Sequence, residues 1–206
     1  MKNKIVLIIF LPKFLISGAG NSVFRLIQGL NKKKYILYVL CFGKCEYSKK
    51  LTKNVKLFEL KYKRLINAFF RIHEIVKKIE KNHKKEKLIF LSNHHYVNIF
   101  ALTIKLHFKK IKVIGVERTA IHELNIFYSI KDFLKKRMLL FCVKYFYKYL
   151  DKIISNSKNV KNEINKFSKK NSMVIYPPSL ENFYPKKKNK NNLRKKINIL
   201  MVGRLD

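Results

Sequence analysis

Short apolar runs alternate with longer amphipathic segments along the chain, and this alternation limits its fold more than any other feature. Strands that are apolar on both faces must be buried on both, as in a parallel sheet covered by helices. The predicted strands are Ile5–Phe10, Tyr35–Phe42, Val55–Leu60, Lys87–Ser92, Ile111–Val116, Lys152–Ser155 and Met173–Tyr176. The predicted helices are Asn21–Leu30, Arg64–Lys81, Val97–Phe108, Ile130–Leu150 and Lys158–Lys169. The pattern predicts an α/β fold with a doubly wound, Rossmann-like parallel sheet, whose ligands bind beyond the carboxyl ends of the strands.

The end of the chain predicts a domain boundary. Pro177 and Pro178 stop the preceding element, because proline donates no hydrogen bond and restricts its neighbour. Residues 186–192 are polar and without periodicity, which is typical of a linker, and residues 197–202 then form one more apolar run. We therefore predict an α/β domain over residues 1–176, a linker over 177–196, and over 197–206 the orphan first strand of a truncated second domain.

Basic residues far outnumber acidic ones: 47 Lys and Arg against 12 Asp and Glu give a formal net charge of +35. This charge favours anionic partners, namely a nucleic acid, an anionic membrane surface or a phosphorylated substrate. Part of the excess is explained by compositional drift, because Lys is used far more than Arg, the better residue for bidentate phosphate recognition. No RNA-binding signature of the Lys/Arg-Gly-Phe type is present, so nucleic-acid binding remains the less favoured alternative.

The cysteines and the first apolar run bear on the cellular compartment. Cys41, Cys45 and Cys142 lack the second Cys/His pair of a zinc site, so we expect free thiols in a reducing cytosol and no metal. The first run is short and Lys13 interrupts it, which favours a buried strand over a signal peptide. No stretch approaches the ~20 apolar residues that a membrane-spanning helix needs.

Small residues follow the first predicted strand at the start of a helix. Gly18, Gly20 and Asn21 are candidate substrate-binding residues, because glycines let the backbone approach a phosphate or sugar and a helix N-terminus offers unpaired N–H groups. An ordinary strand-to-helix turn explains the same residues.

Two polar segments follow later strands. Asn93, His94 and His95 come at the end of the fourth strand, where Asn93 is a candidate substrate-binding residue and either histidine a candidate base. A loop histidine without chemistry explains them equally well, and adjacent histidines make a poor chelating pair.

The second polar segment, Glu117-Arg118-Thr119 with His122, follows the fifth strand. Arg118 and Thr119 are candidate ligands of an anionic acceptor, with Glu117 either holding Arg118 in place or forming a merely structural ion pair with it. Glu117 and His122 are also candidate catalytic residues.

The segment Ile130–Leu150 mixes apolar and basic side chains. A basic amphipathic helix binds anionic membranes, with its lysines reaching the headgroups. More often such a helix packs its apolar stripe on the sheet. Its basic residues favour both roles together.

Taken in order, these segments resemble the family 4 glycosyltransferases (glycosyltransferase group 1) of the GT-B fold, in which two Rossmann-like domains face each other across a cleft. The resemblance runs from the first strand to the last residue, and no motif is specific alone. It rests on Gly18-Ala19-Gly20 with Leu26 and Leu30, Glu117-Arg118-Thr119, Asp151–Ser157, Val174–Pro178 with Phe183 and Pro185, and Ile199–Leu205. Departures are Ser17 where a glycine is usual, Gly20-Asn21 where Glu-Arg is common, and Pro177 where Asn is common.

The resemblance implies transfer of a sugar, usually without metal or cofactor, from a nucleotide-sugar donor on the second domain to an acceptor on the first. Gly203 and Arg204 would hold the donor diphosphate, and the stereochemical outcome would be retention. The 206 residues include neither the later lysine nor the two-glutamate motif of the donor site, so we expect no turnover by this chain alone. The expected acceptor is a lipid-linked or surface-polysaccharide glycan, and the expected location is peripheral on the inner face of the cytoplasmic membrane. A non-catalytic remnant of a truncated gene is a further alternative.

Overall fold

The computed structural model describes residues 4–178, which form one seven-stranded, wholly parallel sheet in the order β3-β2-β1-β4-β5-β6-β7. The strands are β1 (Ile5–Phe10), β2 (Tyr35–Phe42), β3 (Val55–Leu60), β4 (Lys87–Asn93), β5 (Ile111–Glu117), β6 (Lys152–Ser155) and β7 (Met173–Val174). The predicted α/β class and doubly wound sheet are thus confirmed. Only the last strand is notably shorter than predicted.

Helices make the connections between most of these strands. They are α1 (Gly18–Gly29), α2 (Phe69–Asn82), α3 (His95–His107), α4 (Ile130–Phe146) and α5 (Lys158–Ser168). Serine hydroxyls cap three of them: Ser17 accepts from the Gly20 N–H, Ser129 from the Asp132 N–H and Ser157 from the Val160 N–H. The prediction that the first helix begins at Asn21 was wrong, because the Ser17 cap starts it at Gly18.

Different helices and loops pack on the two faces of the sheet. On one face, α2, α3, α4 and α5 pack over alternate residues such as Ile8 and Phe90, both fully buried. On the other face, α1 and the loop at Cys45–Tyr47 pack over Ile9 and Val39. This arrangement follows from the strand order, because crossover connections between parallel strands are right-handed. Connections that run in opposite directions along the sheet therefore cross opposite faces.

Two further sequence-based expectations concern the end of the chain and helix α4. Apart from Pro177 and Pro178, the predicted linker and second-domain strand lie outside the described residues. The sequence favoured both core packing and membrane binding for α4. Its inward face buries Leu140 and Val143, and many of its other apolar side chains are exposed. Within residues 4–178, no helix combines the length and apolarity needed to cross a bilayer.

Candidate functional site

Polar side chains gather at the carboxyl edge of the sheet, where the strand order reverses. β1 pairs with β2 on one side and with β4 on the other, and the chain leaves β1 and β4 towards opposite faces. Such a reversal opens a crevice beyond the strand ends. Asn93, the fully buried last residue of β4, joins the two ends, because its Nδ2 donates to the Phe10 carbonyl at 3.3 Å.

Arg118 follows β5 and extends along this crevice. Its Nε donates to Oδ1 of Asn93 at 3.2 Å, and its Nη1 donates to Oγ of Ser22 on α1 at 3.1 Å. The Arg118 carbonyl accepts from Nδ2 of Asn156, beyond β6, at 2.9 Å. One residue therefore connects the carboxyl ends of β4, β5 and β6 to α1.

The guanidinium of Arg118 is half-buried without a counter-ion. Both of its side-chain partners are neutral, and no carboxylate in residues 4–178 lies within ion-pair distance of it. Burial lowers the pKa of Arg118, but an arginine stays charged in a protein. Its remaining donors suit a bidentate oxyanion such as a phosphate.

His94 occupies the sharp turn between β4 and α3. Its backbone has φ 80° and ψ 150°, a conformation that costs a non-glycine residue about 1–3 kcal/mol and occurs preferentially at functional sites. Its N–H donates to the Val116 carbonyl at 3.1 Å, and its ring stacks on Tyr96. Burial lowers the pKa of His94, and the charge of Arg118 lowers it further. The imidazole is thus neutral near pH 7 and able to exchange a hydrogen bond with a hydroxyl.

Glu117, the last residue of β5, is fully buried beneath this turn. Its Oε1 accepts from Nδ2 of Asn98 at 2.6 Å and from the hydroxyl of Tyr147, and its Oε2 lies 2.7 Å from Nδ1 of His95. Burial opposes a charge on His95, but the carboxylate of Glu117, helped by Glu123 and the backbone of Thr119, raises the pKa of His95. The result is a buried ion pair with hydrogen-bonded neighbours.

Asn98 reaches Glu117 because α3 lies very close to β5 at Gly115. A Cβ on Gly115 would be 3.1 Å from Cγ of Asn98 and 3.0 Å from Cδ1 of Leu150, tighter than ordinary contact. The Nδ2 of Asn98 also donates to the Val116 carbonyl at 3.2 Å, and its Oδ1 accepts from Oγ of Ser92 at 2.6 Å. These contacts fix the start of α3, and with it the turn at His94.

Glu117 and Arg118 do not pair, so Glu117 neither holds Arg118 in place nor forms the alternative structural ion pair with it. Consecutive side chains point to opposite sides of a strand and its extension, so Glu117 faces α3 and Tyr147 while Arg118 faces α1. The full burial of Glu117 and the near-full burial of His95 also place both out of contact with a ligand in the crevice. Their arrangement supports the turn at His94, and the catalytic role expected of both from the sequence stays a prediction.

Comparisons with known proteins agree with this architecture. The profile of Glycosyltransferase Family 4 matches residues 16–178, most of the chain. The chain belongs to Glycosyltransferase Family 4. No curated protein matches it significantly.

Solved structures share the fold of this family 4 chain. Anabaena HepE in complex with UDP and glucose is 11% identical with a TM-score of 0.54, over 85% of this chain and 44% of that one. Sucrose-phosphate synthase from Thermosynechococcus elongatus is 11% identical with a TM-score of 0.57, over 84% of this chain and 48% of that one. A shorter form of that synthase is 9% identical with a TM-score of 0.52, over 86% of this chain and 90% of that one. The family 4 chain therefore has the Rossmann-like fold of GT-B domains and spans about half the length of the first two structures.

The start of α1 in this family 4 domain is occupied by packing contacts. A Cβ on Gly20 would lie 1.9 Å from the carbonyl oxygen of Leu15, so the glycine is needed for close backbone approach. The side chain of Asn21 accepts from the hydroxyl of Tyr47 at 2.5 Å, while Gly18 is exposed. Ser22, which no sequence signal identified, is the α1 residue that contacts Arg118.

The remaining predicted site residues are dispersed. Thr119 is partly buried next to Arg118, and its backbone favours the charged form of His95. His122 lies on a short 3-10 helix with Nδ1 2.9 Å from Oε1 of Glu163 on α5, a contact that raises the pKa of His122. The structure thus ties His122 to α5 and not to the residues of the crevice.

Two further predictions concern the donor site and metals. Gly203 and Arg204 lie outside the described residues, so their role as donor diphosphate ligands stays a prediction. Among residues 4–178, no group of three or more His, Cys, Asp and Glu side chains is placed to hold a metal ion.

Proposed function

We propose that this chain is the acceptor-side part of a retaining glycosyltransferase. In this proposal a sugar moves from a nucleotide sugar to a lipid-linked or surface-polysaccharide acceptor that carries a phosphate or diphosphate. The observation that carries the proposal is the position of Arg118, a half-buried cation with neutral partners at the reversal point of the sheet. This is where an open α/β sheet binds its ligand, and the charge selects an anionic one.

The side chains of the crevice have complementary roles in this proposal. Arg118 binds the acceptor phosphate, and Asn93 and Ser22 hold the guanidinium in place through neutral hydrogen bonds. His94, neutral because of its lowered pKa, hydrogen-bonds an acceptor hydroxyl. In the transfer, the bond from the anomeric carbon to the diphosphate oxygen of the donor breaks, a bond to the acceptor oxygen forms, and the hydroxyl proton passes to the departing diphosphate.

In this proposal the nucleotide-sugar donor is bound by residues that follow the predicted linker. Charge develops on the leaving diphosphate during transfer and needs preorganised cations. Arg204 is the one such residue that the family resemblance supplies here. We therefore propose that the 206-residue chain, assayed by itself, binds an acceptor without turnover, and that its place is peripheral on the anionic inner membrane face.

Hydrogen–deuterium exchange tests the acceptor site. A short-chain isoprenyl diphosphate sugar is expected to protect the segments 93–98 and 117–119, whereas a nucleotide sugar at equal concentration leaves them unchanged. A single-stranded RNA of equal charge serves as the competitor, because nucleic-acid binding is the rival explanation of the net charge. Equal protection by RNA, or protection confined to other segments, would contradict the proposal.

A turnover assay tests the second part. The purified 206-residue chain is incubated with radiolabelled nucleotide sugars and the same acceptor, and the expected result is no labelled lipid above background. Labelled product would contradict the proposed inactivity, while leaving the acceptor site to the exchange experiment.

A further inference from the structure

Helix α4 presents a continuous apolar stripe to solvent. The stripe consists of side chains spaced by four, four, three and four residues, which places them on one face of a helix. Its members and their exposed fractions are Ile130 81%, Leu134 62%, Met138 62%, Phe141 56% and Tyr145 46%. Tyr128, just before the helix, is 87% exposed and extends the surface.

The inward face of the same helix already packs in the hydrophobic core. Leu140 and Val143 are buried in the hydrophobic core, and Tyr147, just after the helix, is fully buried. α4 is therefore apolar on two opposite faces, which is typical of a helix covered on both sides. Monomeric soluble proteins rarely expose a contiguous apolar patch of this kind without a partner.

Basic residues border the stripe along both edges. At about 100° per residue, Lys131 and Lys135 fall on one edge and Arg137 and Lys144 on the other. Arg137 lies 5.2 Å from the ring centre of Phe133, and Lys144 lies 5.3 Å from that of Tyr145. These cations extend along aromatic rings towards the rim of the stripe, as amphipathic side chains do at an apolar boundary.

We infer that the α4 stripe, from Ile130 to Tyr145, docks on the surface of an anionic lipid bilayer. The helix lies flat, its apolar side chains enter the boundary between headgroups and acyl chains, and the flanking cations contact lipid phosphates. A second copy of the chain fits less well, because it would bring two rows of like charges together. The stripe thus supplies the membrane contact that the proposed function requires. The inference depends on the proposed function only for the biological role of this contact.

A tryptophan reporter tests insertion directly, because the chain contains no Trp. Leu134→Trp places an indole in the stripe, and Leu106→Trp places one at a control position on α3 that is 76% exposed. With vesicles containing phosphatidylglycerol, the emission of Leu134→Trp is expected to shift to the blue and to be quenched by brominated acyl chains. Leu106→Trp should show neither effect.

Charge alone could bring a chain of +35 to anionic vesicles, so a second pair of variants separates insertion from attraction. Leu134→Ser with Met138→Ser is expected to reduce partitioning at 0.5 M salt by about tenfold or more, since two apolar side chains lose their burial. The matched control is Ile66→Ser with Phe70→Ser, side chains that are 78% and 81% exposed elsewhere. It should change partitioning less than twofold.

Three outcomes would overturn the inference. The first is an unshifted Leu134→Trp emission in anionic vesicles, or an equal shift in Leu106→Trp. The second is equal loss of partitioning in the two serine pairs. The third is a blue shift without lipid that grows with protein concentration, which would assign the stripe to a second copy. None of these measurements uses sugar transfer, so their failure leaves the acceptor site of the proposed function untouched.

Discussion

Nδ1 of His95 lies 2.7 Å from Oε2 of Glu117, and both side chains are closed off from solvent. The pair sits directly beneath the turn whose outer side carries His94. Buried charges are costly unless they are paired and hydrogen-bonded. Asn98 and Tyr147 complete that pairing, and the arrangement therefore acts as a support for the crevice.

Removal of the Glu117 carboxylate should strongly destabilise the domain. Glu117→Ala leaves His95 without its counter-ion and Asn98 and Tyr147 without their shared acceptor, and breaking a buried pair costs about 3–5 kcal/mol. Urea unfolding at pH 6 measures the free energy. The matched control is Glu74→Ala, which breaks an exposed pair with Arg71 and should cost less than about 0.5 kcal/mol. Equal losses in the two variants would contradict the supporting role.

The same pair predicts a pH dependence of stability. Glu117 raises the pKa of His95 in the folded state, so the folded protein holds this proton more tightly than the unfolded chain. The added stability is fully present below the unfolded pKa of about 6.5 and is lost as pH rises through the higher folded value. As pH rises across that window, the free energy of unfolding of wild type should fall relative to that of His95→Gln. Urea unfolding at each pH measures both values. His122, whose pKa is also raised, is present in both proteins and cancels.

The elements of this fold could be predicted because they depend on local patterns. Runs such as Ile5–Phe10 and Tyr35–Phe42 are apolar throughout, and the structure places both strands at the predicted bounds. The start of α1 was missed because the glycines suggested a turn, whereas the Ser17 hydroxyl caps the helix earlier. Helix capping depends on a hydrogen bond between a side chain and a nearby backbone N–H, which composition alone does not predict.

The sequence predicted which residues lie at the carboxyl edge of the sheet, but not which side chains contact each other there. Arg118 and His94 follow strands, which identified them as residues of the carboxyl edge. The partner of Glu117 could not be read from the sequence, because it depends on which helix covers that side of β5. Asn98 gave one usable signal: a polar residue on the buried side of α3, between Val97 and Ala101.

The two ends of α1 provide a matched pair of glycine substitutions. Gly20→Ala would place a Cβ 1.9 Å from the Leu15 carbonyl oxygen, so the backbone must shift at a cost of about 2 kcal/mol or more. Gly29→Ala meets nothing within 4 Å and should stabilise by about 0.5–1 kcal/mol, because the unfolded chain loses freedom. Thermal and urea unfolding of both variants measure the difference. Stability unchanged in Gly20→Ala would remove the packing role of that residue.

The cysteines should differ in reactivity. Burial, with the nearby Cys45 and Glu59, raises the pKa of Cys41 to about 12, so its reactive thiolate is scarce at pH 8. Cys142 is partly exposed on α4. Iodoacetamide at pH 8 is expected to label Cys142 first, with Cys41 labelled only as the protein opens, as mass spectrometry of the peptides reports. Early labelling of Cys41 in the folded protein would argue against its buried position.

Calorimetric titration with a short-chain isoprenyl diphosphate sugar tests whether Arg118 binds the phosphate of an acceptor. Arg118→Gln should weaken binding by about tenfold to a hundredfold, since a hydrogen bond to a charged group contributes about 1.5–3 kcal/mol. Arg71→Gln, an exposed arginine on α2, should leave binding within about twofold. Equal affinities for wild type and Arg118→Gln would contradict phosphate binding by Arg118.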